Sequence, residues 1–108
     1  MATASDLRRI ALSLDGTTEA PHFDRTAFKA RTIYATLPPD GKTANLKFTP
    51  DEQQLKLLTA PEAFVPVPGG WGRMGYTSVI LDKITTDELI AALTMAWQNA
   101  QLKPKRKR

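Results

Sequence analysis

Apolar residues recur at helical spacing near both ends of the chain. Near the start they occupy positions 7, 10, 11 and 14, so the pattern predicts a helix over residues 5–14. Ser5 is the expected N-cap of this helix, and Gly16 is expected to end it. Near the end of the chain a second helical pattern continues to about residue 102, with an apolar stripe formed by Leu89, Ile90, Leu93, Ala96 and Trp97.

Two segments carry the residues expected at helix starts. In Thr49-Pro50-Asp51-Glu52, threonine is the expected N-cap, proline suits the first helical position, and glutamate can close a capping box. This middle helix is predicted to run to about Leu58. Thr85 and Glu88 have the same spacing as the cap and glutamate of the middle helix, so the last helix is predicted to begin beside Thr85.

Between the first and middle helices the pattern shortens to strand-like runs at residues 26–30, 33–37 and 43–48. The third run alternates as a half-buried strand does, with Ala44, Leu46 and Phe48 on one face and Asn45 and Lys47 on the other. Short connections around Arg31 and at residues 38–41 predict hairpins. A β-branched run at residues 76–81 predicts a further strand.

Short connections between strands favour an antiparallel sheet, with the helices collected on one of its faces. The predicted fold class is therefore α+β, a two-layer sandwich of an antiparallel sheet and three main helices. The opposite face of the sheet would be open to solvent. Lys47 is expected on that open face, and Lys29 joins it if the strand register permits.

The positive charge of the chain is concentrated at its C-terminus. The chain has 15 basic and 11 acidic residues, a formal net charge of +4 at pH 7. Residues 1–102 carry 10 of the basic and all 11 of the acidic residues, a net charge of −1. We expect residues 1–102 to form a single domain and 103–108 a flexible basic tail, which either attracts nucleic-acid phosphates or is simply solvated.

The composition excludes several kinds of chemistry. The chain has no cysteine, which excludes disulfides, thiolate metal sites and thiol catalysis. One histidine with scattered carboxylates is not a metal-ligand set, and no nucleotide motif is complete, so we expect neither a metal nor a cofactor. The sequence shows no signal peptide and no apolar stretch of the roughly 20 residues that span a bilayer. The expectation is a soluble cytoplasmic protein without a membrane partner.

The segment from Val65 to Tyr76 is the clearest candidate for function. Two prolines and four glycines predict a shaped loop rather than a core helix or strand. Trp71 and Arg73 are separated by one residue, so in an extended segment both would project to one side. A guanidinium binds phosphate and an indole stacks on bases, as in a nucleic-acid contact loop. The alternative is that Trp71 caps the hydrophobic core, with Arg73 over it as a cation–π partner.

His22 and Asp24 are the candidates for proton transfer. Strand alternation would put both side chains on one side, where a carboxylate can orient an imidazole. No nucleophile motif accompanies them, so a hydrogen-bonded histidine without a catalytic role is the favoured interpretation. We therefore expect that the protein is not an enzyme.

Three stretches form a specific combination, namely Pro21-His22-Phe23-Asp24-Arg25-Thr26-Ala27-Phe28, Ala44-Asn45-Leu46-Lys47 and Pro66-Val67-Pro68-Gly69-Gly70-Trp71-Gly72. In this order and spacing they resemble the MmcQ/YjbR family of small bacterial proteins. The resemblance extends from the first helix to the last, and the Pro-Gly-Gly-Trp-Gly block is its most specific part. It implies a frataxin-like α+β fold and DNA binding through a double wing of strand-connecting loops. It supplies no agreed catalytic residues.

Two functional hypotheses follow. In the first, loops 38–42 and 69–75 are the wings of a DNA-binding module with low sequence specificity. Its nucleic-acid-binding residues would be Arg73, Lys42, Lys47, Lys29, Trp71, Lys103, Lys105, Arg106, Lys107 and Arg108. In the second, the open sheet face and the Pro/Gly loop bind a protein partner or a small ligand. A cluster of Lys29, Lys47 and Arg73 would favour the first, and an exposed apolar patch with Trp71, Phe64 or Tyr76 the second.

Overall fold

The computed structural model describes residues 1–101 of the chain, so the basic tail at 103–108 lies outside the described residues. Its strands are β1 (Thr18–His22), β2 (Arg25–Lys29), β3 (Ile33–Leu37), β4 (Thr43–Lys47), β5 (Phe64–Pro66) and β6 (Tyr76–Ile80). Its helices are α1 (Ala4–Ser13), α2 (Pro50–Thr59), the single turn α3 (Gly70–Arg73) and α4 (Thr86–Gln101), with a short 3₁₀ turn at Leu81–Lys83. The predicted α+β class is confirmed.

The strands form one antiparallel sheet in the order β1-β2-β3-β4-β6-β5. Strands β2, β3 and β4 follow the predicted runs, whereas β1 and β5 are absent from the sequence prediction. Each of these two strands lies at an edge of the sheet and contains a proline, Pro21 or Pro66. Proline cannot donate a hydrogen bond between strands and is therefore confined to such edges. Because a proline in a run argues against a strand, the sequence pattern did not predict these two strands.

Side-chain caps fix where the helices begin. Thr49 and Glu52 form the predicted capping box of α2, and Thr85 and Glu88 exchange the same two hydrogen bonds at the start of α4. The expectation for α1 was wrong by two residues, because Thr3 rather than Ser5 is the N-cap. Asp6 closes the box with Thr3, and α1 ends at Ser13, before Gly16.

Helices α1 and α4 cover one face of the sheet. The strand register places a continuous row of buried side chains under them, formed by Phe28, Ala35, Leu46 and Thr77. The helices contribute their own buried stripes, formed by Leu7, Ile10, Leu89, Leu93 and Ala96. Trp97 packs against this core as predicted, and its indole N–H donates to the Asp15 carbonyl at 2.8 Å. Ile90 was wrongly placed in the stripe, since it is exposed.

A register shift between Phe28 and Lys29 changes the direction of side chains in β3. Tyr34 and Ala35 are consecutive yet both buried, as a bulge allows. The Tyr34 hydroxyl reaches the helix layer, donating to the Ala11 carbonyl at 3.3 Å and lying 2.9 Å from the Thr17 hydroxyl. Burial raises the pKa of Tyr34. Beyond the bulge, Lys29 pairs with Ile33.

Candidate functional site

The floor of the candidate site is a row of polar residues on the sheet face opposite α1 and α4. Thr36, Asn45 and Ser78 are neighbours across β3, β4 and β6. The Ser78 hydroxyl donates to Asn45 Oδ1 at 2.6 Å, which occupies the acceptor of that amide. Within residues 1–101 the Asn45 amide nitrogen has no acceptor, so its two N–H groups are available to a ligand.

Above this row lies a concavity of about 240 Å³. Three parts of the chain line it: the β1–β2 hairpin, the central strands and the loop between β5 and β6. The residues that matter most for its chemistry are Phe23, Arg25, Asn45, Lys47, Trp71 and Tyr76. The site is therefore a groove across the open face, with the hairpin on one side and the loop on the other.

The hairpin wall ends in an unusual turn. His22 pairs with Arg25, so Phe23 and Asp24 form a two-residue turn, and Phe23 has φ 60°. A bulky side chain rarely adopts positive φ, and glycine is preferred at such a position. The Phe23 ring nevertheless lies 92% exposed, with its nearest aromatic contact an edge-on arrangement against His22 at 4.8 Å. Burial in the domain therefore does not explain this conformation.

The turn also corrects the expectation for His22 and Asp24. His22 ends β1, whereas Asp24 lies in the turn, so strand alternation does not hold between them. Among residues 1–101 no hydrogen bond joins their side chains. His22 instead lies exposed on the rim of the concavity.

The loop wall is held in place by close backbone packing. A Cβ on Gly72 would overlap the Val67 carbonyl oxygen, and one on Gly75, whose φ is +108°, would overlap the Phe48 carbonyl oxygen. Gln53 on α2 donates from Nε2 to the carbonyls of Gly72 and Tyr76, at 2.9 and 3.1 Å. The loop is thus anchored to α2 and to the end of β4, which fixes the position of the tryptophan it carries.

Trp71 is presented to solvent rather than buried. Its side chain is 60% exposed, and its ring meets Tyr76 edge-on, with centroids 5.2 Å apart and planes at 88°. The hypothesis that Trp71 caps the core is therefore wrong. Arg73 is not its cation–π partner either, since the described part of the chain shows such a contact for Lys56 over Phe64 instead.

Trp71 and Arg73 point in different directions. The segment that holds them is the helical turn α3, and residues two apart on a helix lie roughly 200° around its axis. Trp71 lines the concavity, whereas Arg73 borders a separate surface depression with Gln53 and Pro68. The expectation that both project to one side from an extended segment was wrong.

Two cations flank the polar floor. The Arg25 guanidinium donates from Nε to the Thr36 hydroxyl at 3.0 Å, and Lys47 Nζ donates to the Thr32 hydroxyl at 3.4 Å. Both side chains are half-buried, and neither forms a salt bridge with a described residue. None of the described residues that line the concavity is acidic. The site therefore has a positive charge that the domain itself does not neutralise.

The remaining expected cations lie elsewhere. Lys29 is exposed and pairs with Ile33, which lines the concavity, but Lys29 itself does not line it. Lys42 lies at the far end of β4, where its carbonyl accepts from the Leu81 N–H, while Lys47 at the near end pairs with Tyr76. Loops 38–42 and 69–75 are thus at opposite ends of one strand and do not flank a common surface. The five tail cations lie outside the described residues.

Sequence reasoning missed Phe23, Arg25 and Thr36. The sequence signal for this surface was the alternation in β4, which placed Asn45 and Lys47 together on the solvent-facing side of the sheet. The β1–β2 hairpin, which carries Phe23 and Arg25, was not predicted because the sequence pattern did not indicate β1. Within residues 1–101 no group of three or more histidine or carboxylate side chains could hold a metal ion. A helix with the length and apolarity to cross a membrane is likewise missing from that range.

The fold and site together define an α+β sandwich in which α1 and α4 cover one face of the sheet and a groove lies on the other. The YjbR family model matches residues 12–99, and the chain belongs to this family. The structure is similar to the crystal structure of Deinococcus radiodurans protein DR2400, which carries a DUF419 domain. The TM-score is 0.82 at 21% identity, over 99% of this chain and 84% of that chain, a likeness in fold. A search of curated proteins finds no match.

Proposed function

We propose that this protein is a DNA-binding module whose contact surface is the open face of the sheet. One observation carries the proposal: Arg25 and Lys47 flank a concavity without acidic residues, and neither has a carboxylate partner within residues 1–101. Two cations that no carboxylate neutralises attract a ligand of opposite charge into the groove between them. A phosphate backbone does so repeatedly along its length.

The elements beside the groove take the place of the two wings that the family resemblance implies. They are the β1–β2 turn and the loop at residues 67–75, rather than the loop at 38–42. Lys29 extends the same face at its edge, whereas Arg73 and Lys42 are assigned no contact at the groove. Since the expected contacts are to phosphates, binding is expected to be weakly sequence-specific and strongly dependent on salt.

The test is a titration of fluorescent duplex DNA at several salt concentrations, read by anisotropy. Arg25→Ala and Lys47→Ala are each expected to weaken binding and to reduce the slope of log K against log salt by about 0.9 per lost phosphate contact. Lys83→Ala is the matched control, because Lys83 is an exposed lysine in the 3₁₀ turn, away from the groove. It removes the same charge from the chain.

A chain ending at Leu102 separates the groove from the tail. The proposal expects that this chain still binds and still responds to Lys47→Ala. Binding that disappears with the tail, or an equal loss for Lys83→Ala and Lys47→Ala, would show that the open face is not the contact surface.

A second candidate function is a binding scaffold for a protein or small ligand. The observation in its favour is that Trp71, Met74 and Val65 are exposed apolar side chains on or beside the Pro/Gly loop. The exposed Trp71 meets the condition set from the sequence for this second hypothesis, although Phe64 itself is buried. The cluster of Lys29, Lys47 and Arg73 that would favour the first hypothesis does not form at the groove. Binding through it would depend little on salt, so a flat salt series combined with a loss on Met74→Ala would favour the scaffold.

A further inference from the structure

The groove combines three features that the proposed phosphate contacts do not require. They are an exposed aromatic platform, a polar floor with free donors, and a volume of about 240 Å³. This volume lies below the roughly 300–1,000 Å³ of pockets for drug-sized ligands. It suits a group of one or two rings rather than the broad surface of a duplex.

The platform is Trp71. Its ring is exposed and meets Tyr76 edge-on. The loop beneath it is anchored by Gly72 and by the two hydrogen bonds from Gln53. An aromatic ring fixed before binding loses little conformational entropy when a base stacks on it, and such stacking contributes about 1–3 kcal/mol per base.

The floor supplies hydrogen-bond donors beside the platform. Asn45 Oδ1 is occupied by Ser78, so Asn45 presents N–H groups, and the Thr36 oxygen accepts from Arg25, which leaves its O–H to donate. Base edges carry carbonyl and ring-nitrogen acceptors that fit such donors. In a duplex the Watson–Crick edges are paired and the base faces are stacked on their neighbours, so a base cannot lie on Trp71 while its Watson–Crick edge meets these donors.

We infer that the groove receives one unpaired nucleotide, its base stacked on Trp71 and its phosphates beside Arg25 and Lys47. This inference rests on the proposed function and specifies its ligand as single-stranded rather than duplex DNA. Phe23 on the opposite wall is a second exposed ring, placed to contact a neighbouring base. The same nucleotide chemistry is also present in a free mononucleotide, so the experiment includes one.

The experiment compares three fluorescent ligands with the same number of phosphates: a thymidine 12-mer, a 12-mer of abasic sites and a hairpin duplex. The full chain is expected to bind the thymidine strand about tenfold more tightly than the abasic strand, because base stacking contributes to the first alone. It is expected to bind the duplex more weakly than the thymidine strand. Unlabelled thymidine monophosphate is added as a competitor.

Variants at Trp71 test whether this residue causes the difference in affinity between the thymidine and abasic strands. Trp71→Ala is expected to remove most of the difference in affinity between the thymidine and abasic strands, while abasic binding stays unchanged. Trp71→Phe should retain most of the difference, because it keeps an aromatic face. Trp97→Phe is the control for loss of the other indole, which packs against the core.

The outcomes distinguish this inference from the proposal that the open face binds DNA. Equal affinity for thymidine and abasic strands, with Lys47→Ala still weakening both, would overturn the inference and leave DNA binding in place. Failure of all three ligands to bind at low salt would remove both. Displacement by thymidine monophosphate that depends on Trp71 is expected at concentrations well above those of the strand. Thymidine monophosphate that binds as tightly as the strand would overturn the strand as the source of the nucleotide.

Discussion

The two faces of the sheet differ in burial and composition, as two adjacent residues of β4 show. Leu46 lies in the buried row under the helices, whereas its neighbour Asn45 faces the groove. The covered face consists of side chains that hold the fold together by packing. The open face carries cations, an amide, hydroxyls and an exposed indole beside apolar residues such as Ile33 and Val67, and most of these side chains are less buried. The two faces should therefore respond differently to substitution.

The largest expected contrast is between Leu46→Ala and Asn45→Ala. Removing the Leu46 side chain leaves a cavity in the core, so the free energy of unfolding should fall by about 2–5 kcal/mol. Asn45→Ala removes a hydrogen bond to Ser78 at a half-exposed position, which should cost about 1 kcal/mol or less. Urea unfolding followed by circular dichroism measures both. Similar losses in the two variants would contradict the division between the faces.

The loop wall offers the next contrast, between two glycines of α3. Gly72→Ala forces a methyl group against the Val67 carbonyl and should cost about 1–3 kcal/mol, with the Trp71 platform displaced. Gly70→Ala meets only Arg73 Nη2 at 3.8 Å, and its stability should change little. Unfolding midpoints and tryptophan emission report the two effects. A tolerated Gly72→Ala would mean that the loop is not held by close packing.

A smaller effect is expected where α2 holds the loop. Gln53→Glu replaces the amide donor with a carboxylate facing two carbonyl oxygens, so about 1–2 kcal/mol should be lost. Gln54→Glu makes the same change at the next, exposed position and should be nearly neutral. Thermal unfolding compares the pair. Equal shifts would show that charge rather than the two hydrogen bonds is responsible.

The smallest expected effect has the opposite sign. Phe23→Gly removes a bulky side chain from positive φ, so the free energy of unfolding should rise by up to about 1 kcal/mol, since the exposed ring contributes little burial. If Phe23 contacts a ligand, the same variant should bind the thymidine strand more weakly. A variant that loses stability would show that the ring packs within the domain after all.

The parts of the fold that could be predicted are those set by local interactions. The capping boxes at Thr49 and Thr85 depend on residues three apart, and the alternation in β4 depends on residues two apart. Both were readable in the sequence. The β1 and β5 strands were not, because each depends on a partner strand that tolerates a proline at the sheet edge.

The site was predicted less completely for a related reason. Lys47 and Trp71 were identified, but Arg25 meets Thr36 across two strands, and no sequence spacing encodes that contact. The loop was expected to be extended, whereas the single turn α3 rotates Arg73 away from Trp71. Four glycines permit either conformation, and packing against Val67 and Phe48 decides between them.

The prolines at the two sheet edges also bear on how copies of this protein behave toward one another. A sheet edge with free N–H and C=O groups recruits further strands, and this is a common route to aggregation. Pro21 in β1 and Pro66 in the three-residue β5 each interrupt the row of donors that a new strand would need. Growth of the sheet from molecule to molecule is thereby disfavoured at both ends.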